Sequence, residues 1–361
     1  MKKLTPLCFL FFFTIFGYEI ASAFTSLYLK QSGLEEVDIG LVFSLWPLFV
    51  TLFAPFAGKL SDRMGRKVLI ISASFGYSLF GFLSSLNLFV PAFVILGVSN
   101  AFLWTVGRAY VFDVAGGTKA KEVGVFFFSA ILGSILGAPA GGWLVETFGY
   151  IETFFTGGLV ALLGTLTGLF LKEYKKSAKT REFEISKDFA LLGVVTVVLA
   201  FSSVPVKIFL PILMGDAGFG AFTIGAVFFV TKIFFAVSQF LGIKVYNTFG
   251  SRISMFGSCA VNSSSLFLIG FAATLPEFLL AAALGGIGGG VSALTAQTFI
   301  TRVTKAHGIG SGIFEVAANL GQFFGTWVSG VVAQTIGVRE LFYLYAILTF
   351  LGGVIFLKTR E

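Results

Sequence analysis

Five ionisable residues fall inside long apolar runs of this chain: Glu19, Arg108, Lys207, Lys232 and Glu315. A charge at the centre of a membrane helix costs about 2.5 to 3.5 kcal/mol on insertion scales, so such groups mark ion or substrate pathways. At helical spacing Glu19 shares a face with Ser22 and Ser26, Arg108 with Trp104 and Asn100, and Lys207 with Ser203. Lys232 likewise shares a face with Gln239, and Glu315 with Asn319, Gln322 and Thr326, the longest of these polar stripes. A carboxylate set among apolar residues and cations can exchange a proton near neutrality, and one that binds either a proton or a substrate makes exchange obligatory. From the inner helix ends, Glu19 and Lys232 lie about 22 Å deep, Lys207 about 28 Å, Glu315 about 11 Å and Arg108 about 8 Å. The depths predict two layers, Glu19 facing Lys232 and Arg108 facing Glu315. The alternative is static ion pairs that fasten helices together.

The elements that must carry these groups are membrane spans. Hydrophobic residues make up 56% of the chain, mean hydropathy is +0.94, and only 12% of residues are charged. Apolar runs reach the roughly 20 residues that cross a bilayer core. Hydropathy and breakers place spans near 4–30, 38–60, 68–86, 89–113, 122–147, 150–171, 188–214, 219–247, 253–272, 274–301, 308–334 and 338–357, an all-α membrane protein of about twelve helices. The alternating segments of about 10 residues that a β-barrel needs are absent.

The net charge of +7 reflects topology rather than nucleic-acid binding. Of the 25 Lys and Arg, only Lys30 and Arg339 fall on one face of this arrangement and only Arg108, Lys207 and Lys232 inside spans; the rest share the opposite face. The positive-inside rule makes that face, and both termini, cytoplasmic in a plasma or inner membrane. Lys2, Lys3, the apolar run from Leu7 and Ala21-Ser22-Ala23 imitate a secretory signal, but cleavage would leave an odd number of spans and discard Glu19. Cys8 and Cys259 form no motif and His307 stands alone as a loop cap, so no metal and no cofactor is expected.

The chain repeats itself. At an offset of 185, Ile39, Gly40, Phe43, Gly65 and Lys67 match Ile224, Gly225, Phe228, Gly250 and Arg252. At an offset of 188, Gly124, Gly133, Gly137, Gly142 and Gly149 match Gly312, Gly321, Gly325, Gly330 and Gly337, while Thr147, Glu152 and Phe154 match Thr335, Glu340 and Phe342. A parallel duplication predicts a six-helix bundle over 1–172, a cytoplasmic linker over 173–187 and a second bundle over 188–361.

Two motifs stand out. The first is Gly58-Lys-Leu-Ser-Asp62-Arg63-Met-Gly65-Arg66-Lys67, a charge-dense turn between the second and third spans. Gly65 suits a backbone reversal and the basic residues suit a cytoplasmic hairpin. This decamer resembles the loop signature of the major facilitator superfamily of secondary transporters. The resemblance implies two pseudo-symmetric six-helix halves, in which the loop Asp, here Asp62, rests on the N-terminus of the eleventh helix near Gly308 and helps close the cytoplasmic side. Asp113 is the expected partner of Arg66, with ordinary interfacial pairing as the alternative. The second copy is degraded, with Asn247 in place of Asp62 and Ser251 in place of Arg66.

The second motif, Gly124, Gly133, Gly137, Pro139, Gly141 and Gly142 on the fifth span, resembles the antiporter motif of the drug and proton exchanging branch, except that Ala138 separates Gly137 from Pro139. Gly133, Gly137 and Gly141 form a smooth ridge that permits close helix packing, which is the packing-only alternative. The resemblance also implies that the first, fourth, seventh and tenth helices line a central cavity and that the third, sixth, ninth and twelfth face lipid.

These features predict a monomeric secondary transporter working by alternating access, exchanging protons for small amphipathic or drug-like compounds. A sugar or organic-anion carrier using Arg108, Lys207 and Lys232 is the alternative within transport. A nontransporting sensor or a lipid-moving protein is the alternative outside it. The glycine run from Gly285 to Gly290 lacks the Lys-Ser or Lys-Thr of a phosphate-binding loop, and no enzymatic motif is present.

Overall fold

The computed structural model describes residues 4–114, 120–173, 187–303 and 307–359; the side chains of 62, 120–121, 187–189, 300–303 and 307–312 lie outside the description. All elements among these residues are helical: α1 Thr5–Ser22, α2 Thr25–Gln31, α3 Glu36–Met64, α4 Arg66–Ser85, α5 Phe89–Val114 and α6 Ala120–Phe148. They continue with α7 Tyr150–Gly168, α8 Lys187–Asp216, α9 Ala221–Phe271, α10 Leu275–Val303, α11 His307–Ile336 and α12 Val338–Phe356.

The twelve expected spans map onto these helices, with two corrections, at Lys187 and His307. The first span, Thr5–Gln31, is α1 plus α2 with a turn at Ala23 and Phe24, where the Thr25 hydroxyl donates to the Ala21 carbonyl at 3.0 Å. The eighth and ninth spans follow one another in α9 and are separated, as expected, by a kink at Gly250, at φ 75° and ψ 178°. His307 opens a helix rather than standing in a loop, and Lys187, assigned to the linker, is already helical.

Ten helices among the described residues are long and apolar enough to cross a membrane, and α9 has length for two crossings. The described part of α11 is not among them, because the stripe of Glu315, Asn319, Gln322 and Thr326 dilutes its apolar residues. The duplication is visible in the backbone. The positive-φ glycines fall into three pairs, Gly33 with Gly218, Gly65 with Gly250 and Gly149 with Gly337, at the same offsets as the sequence repeat. Each sits where the chain reverses between helices and where a Cβ would strain the left-handed backbone.

The chain divides into two compact units. Unit 1 is Met1–Tyr28, Leu45–Thr180 and Gly220–Gly225; unit 2 is Leu29–Ser44, Arg181–Phe219 and Ala226–Glu361. In unit 1, α1 packs on α4, α6 and α7 through small residues. A Cβ on Gly17 would meet Ala161 N at 2.5 Å, one on Gly164 would meet Leu10 O at 2.8 Å, and Thr14, Ser74 and Thr165 link their hydroxyls at 2.7 and 3.0 Å. Lipid offers no hydrophobic drive for helix association, so close backbone approach and interhelical hydrogen bonds hold such helices together.

In unit 2, α8 takes the place of α1 and packs on α11 and α12. A Cβ on Gly325 would meet Phe201 O at 2.6 Å, and one on Gly352 would meet the Val198 side chain at 3.0 Å. The two cations on the cation-poor face are both engaged in this unit. Lys30 Nζ meets Glu36 Oε1 at 2.7 Å, and Arg339 Nη1 donates to the carbonyls of Gly270 and Ala272 at 2.9 Å, where α9 ends and leaves acceptors free.

Candidate functional site

In unit 1 the polar residues converge around α1. Glu19 is half-buried, and its Oε1 accepts a hydrogen bond from Ser134 Oγ of α6 at 3.0 Å. The glycine ridge of α6 creates that proximity. Cβ atoms on Gly133 and Gly141 would meet Phe12 O and Ile20 O at 2.5 Å, and one on Gly137 would collide with Glu19 Cβ. The fifth-span motif thus brings its helix backbone onto the segment of α1 that carries the acid. Gly142 and Pro139 serve another neighbour: Cβ atoms on Gly142 and Gly225 would meet Ala221 O at 2.5 Å and Pro139 Cα at 3.0 Å, respectively. Gly124 has nothing within 4 Å of an added Cβ.

Next to Glu19 lies an aromatic and amide network. Asn100 Nδ2 on α5 donates to the Tyr77 hydroxyl at 2.7 Å, Tyr18 meets the Tyr77 ring edge-on at 5.5 Å, and Arg108 lies 5.7 Å from the centre of the Trp104 ring. A guanidinium over an indole gains about 0.5 to 2 kcal/mol, depending on desolvation. Phe11 supports Trp104 edge-on at 5.3 Å. Sequence reasoning found Glu19, Asn100, Trp104 and Arg108 but missed Tyr77, Tyr18 and Ser134. Tyr77 lies on the third span, which carries no interior charge and was expected to face lipid; the ring is 1% exposed. The helical spacing of small residues along α4 was the available signal for a protein-facing side.

In unit 2, Lys207 on α8, Lys232 on α9 and Glu315 and Gln322 on α11 are half-buried and Asn319 is buried. Asn319 Nδ2 donates to Glu315 O at 2.8 Å and Thr326 Oγ1 to Gln322 O at 2.6 Å, so part of this stripe is bonded to its own helix. The glycine run of α10 is a packing surface. A Cβ on Gly286 would meet Phe235 N at 2.9 Å, and one on Gly288 would meet Ser258 O at 2.8 Å, placing α10 against both spans of α9. Glu19 and Arg108 belong to unit 1 and Lys232 and Glu315 to unit 2, so the two cross-pairs stand as expectations.

The loop between α3 and α4 is tied into unit 1 at three points. Arg66 Nη1 meets Asp113 Oδ2 at 2.9 Å, as a charge contact without hydrogen-bond alignment, and Arg66 is 6% exposed. The Arg66 backbone N–H donates to Glu173 Oε1 at 2.7 Å, capping α4, and Lys67 Nζ donates to Leu169 O at 2.7 Å at the end of α7. Gly65 has φ 95°, and a Cβ there would also meet the Glu173 carboxylate at 2.7 Å. Glu173, the first residue of the expected linker, is thus a helix cap, an acid two positions past the sixth span. Arg63 is exposed, and a Cβ on Gly58 would meet nothing within 4 Å. The expected contact of Asp62 with the start of α11 falls on side chains outside the described residues.

A duplicated, glycine-packed set of membrane helices that confines its ionisable groups to a few of them has the fold of a secondary carrier. A model described as Major Facilitator Superfamily matches residues 7–260 and 190–361, and the chain belongs to that family. It is 22% identical to an uncharacterized MFS-type transporter, MJ1560, of Methanocaldococcus jannaschii over 95% of this chain and 94% of that protein. It is 30% identical to multidrug resistance protein MdtG of Dickeya zeae, but over only 45% of this chain and 42% of that protein. Among solved structures it resembles the nucleoside transporter NupG, with a TM-score of 0.78 at 14% identity and 99% coverage of both chains. It also resembles a D-xylose-proton symporter, with a TM-score of 0.80 at 15% identity over 99% and 97%. At such identities these structures report the fold alone.

Proposed function

We propose that this transporter exports small amphipathic compounds in exchange for protons across the plasma membrane, as a monomer with both termini cytoplasmic. The observation that carries the reading is the half-buried Glu19 carboxylate, held by Ser134 on the same helix that presents the antiporter-like glycine ridge. Similarity to multidrug resistance proteins over part of the chain supports the substrate class. Binding a proton removes the charge of Glu19 and weakens its claim on a cationic substrate; losing the proton restores both. One proton crossing 100 mV supplies about 2.3 kcal/mol, enough for a roughly fifty-fold substrate gradient. Glu315 is the second candidate carrier. The gating loop contributes through the buried Arg66 and its half-buried partner Asp113, with Asp62 assigned to the cytoplasmic closure.

The test uses purified protein in proteoliposomes with ethidium as the probe. Glu19→Gln should abolish uphill movement driven by a pH gradient while leaving ethidium binding or downhill exchange in part. Wild-type accumulation in the Gln variant removes Glu19 from the coupling role and passes the test to Glu315→Gln. The three cations Arg108, Lys207 and Lys232 favour a second reading, a sugar or organic-anion carrier. A thermal-shift screen of drugs, sugars and organic acids at two pH values separates the two.

A further inference from the structure

The helix starts of α3 and α9 are held in the same way by helices from opposite halves of the sequence. The Val37 N–H at the second residue of α3 donates to Gln334 Oε1 in the last turn of α11, at 3.3 Å. The Phe222 N–H at the second residue of α9 donates to Glu146 Oε1 in the last turn of α6, at 2.9 Å. Both N–H groups are among the donors that a helix leaves without an internal partner. The donors are 185 residues apart and the acceptors 188, the two offsets of the internal repeat.

Glycines bring each pair of backbones together beneath its cap. A Cβ on Gly330 would meet Glu36 O at 2.6 Å, and one on Gly40 would meet Thr326 O at 2.8 Å. At the other crossing, Cβ atoms on Gly142 and Gly225 would meet Phe222 Cα at 2.8 Å and Ala138 O at 2.6 Å, respectively. Each crossing lies inside one compact unit, the first in unit 2 and the second in unit 1. Both lie at the end of the helices that the charge count assigns to the non-cytoplasmic face.

We propose that Glu146 and Gln334 are matched positioning residues that latch the outer ends of the two sequence halves, and that the latches are unequal. A carboxylate accepts from a helix N-terminus with charge assistance and a favourable dipole, whereas an amide has neither. The shorter bond is the charged one. In the α3–α11 latch the acids Glu36 and Asp38 already stand in the first turn of α3 itself, with Glu36 paired to Lys30, so an amide acceptor adds no charge there. Outward opening must break both latches, and the α6–α9 latch sets the larger part of the resistance. The inference rests on the alternating-access reading of the family and not on the substrate.

Spin labels in the full chain in nanodiscs, with Cys8 and Cys259 replaced by Ser, test it. One pair, at Asp38 and Ile336, spans the α3–α11 latch; the other, at Phe148 and Phe222, spans the α6–α9 latch, and all four side chains are exposed. Glu146→Gln, which keeps an acceptor but loses the charge, should raise the separated population about five-fold. Glu146→Ala should raise it further, Glu146→Asp should return it towards wild type, and Gln334→Ala should raise it only about two-fold. Unchanged distance distributions in Glu146→Ala and Gln334→Ala overturn the latches, including when these variants merely melt at lower temperature, which would make both residues plain helix caps. An effect of Gln334→Ala as large as that of Glu146→Ala overturns the inequality. Ethidium transport is not needed for this readout, so a wrong substrate leaves the result interpretable.

Discussion

The contact of α1 with α6 and that of α8 with α11 are two copies of one arrangement, and they differ in chemistry rather than in backbone. Gly133 and Gly137 lie on Phe12 and Phe16; their counterparts Gly321 and Gly325 lie on Val197 and Phe201, at the repeat offsets. Yet the position of Glu19 is Val204 in the second copy, and that of Ser134 is Gln322. The close helix approach is common to both halves, while the acid and its hydroxyl donor exist only in the first. Glycine packing is therefore structural in both copies, and the acid with its hydroxyl donor is a local addition to one of them.

The largest test of this comparison is to fill the ridges. Gly137→Val and Gly325→Val should each destabilise the protein by about 3 kcal/mol or more, because the added atoms meet backbone that cannot move aside. Unfolding in mixed micelles measures this, and equal losses in the two copies would support a shared structural role.

A smaller effect is expected at the inner turns, where the first copy has Arg66 on Asp113 and the second has Ser251. Arg66→Ala strands Asp113 and should cost about 2 kcal/mol, whereas the double change to Ala should recover part of it. A double-mutant cycle without coupling would mean that the two charges do not support each other.

Ser134→Ala should cost only about 1 kcal/mol in stability. It should nevertheless alter the pH dependence of ethidium exchange, and Ser134→Thr should restore it. Gln322→Ala, at the matching site, should leave that profile in place. The smallest change is expected from Gly124→Ala, which meets open space and should be neutral or raise stability by up to about 1 kcal/mol through helix propensity.

The fold was legible because its signals are long-range regularities. Spans follow from apolar length, and the repeat is written in glycines whose backbone conformations pair off at the same offsets. The Arg66 and Asp113 contact was legible because charge is rare in this chain. What escaped depends on single hydrogen bonds that leave no periodic trace. Ser134 reaches Glu19 from a neighbouring helix, Glu173 caps α4 from the far end of α7, and Tyr77 turns inward from a span without interior charge. Glu146 and Gln334 were hidden in the same way, since each looks like an ordinary polar residue at a helix end.

The polarity of α11 also bears on how the chain enters the bilayer. A segment carrying Glu315, Asn319 and Gln322 partitions weakly into lipid by itself, as each polar group adds to the free energy of transfer. Its neighbour α8, against which Gly321 and Gly325 lie, is made earlier in synthesis. Integration of α11 is thus coupled to a partner already embedded, and substitutions on the Val197 and Phe201 face of α8 should surface first as failed insertion of a helix far downstream.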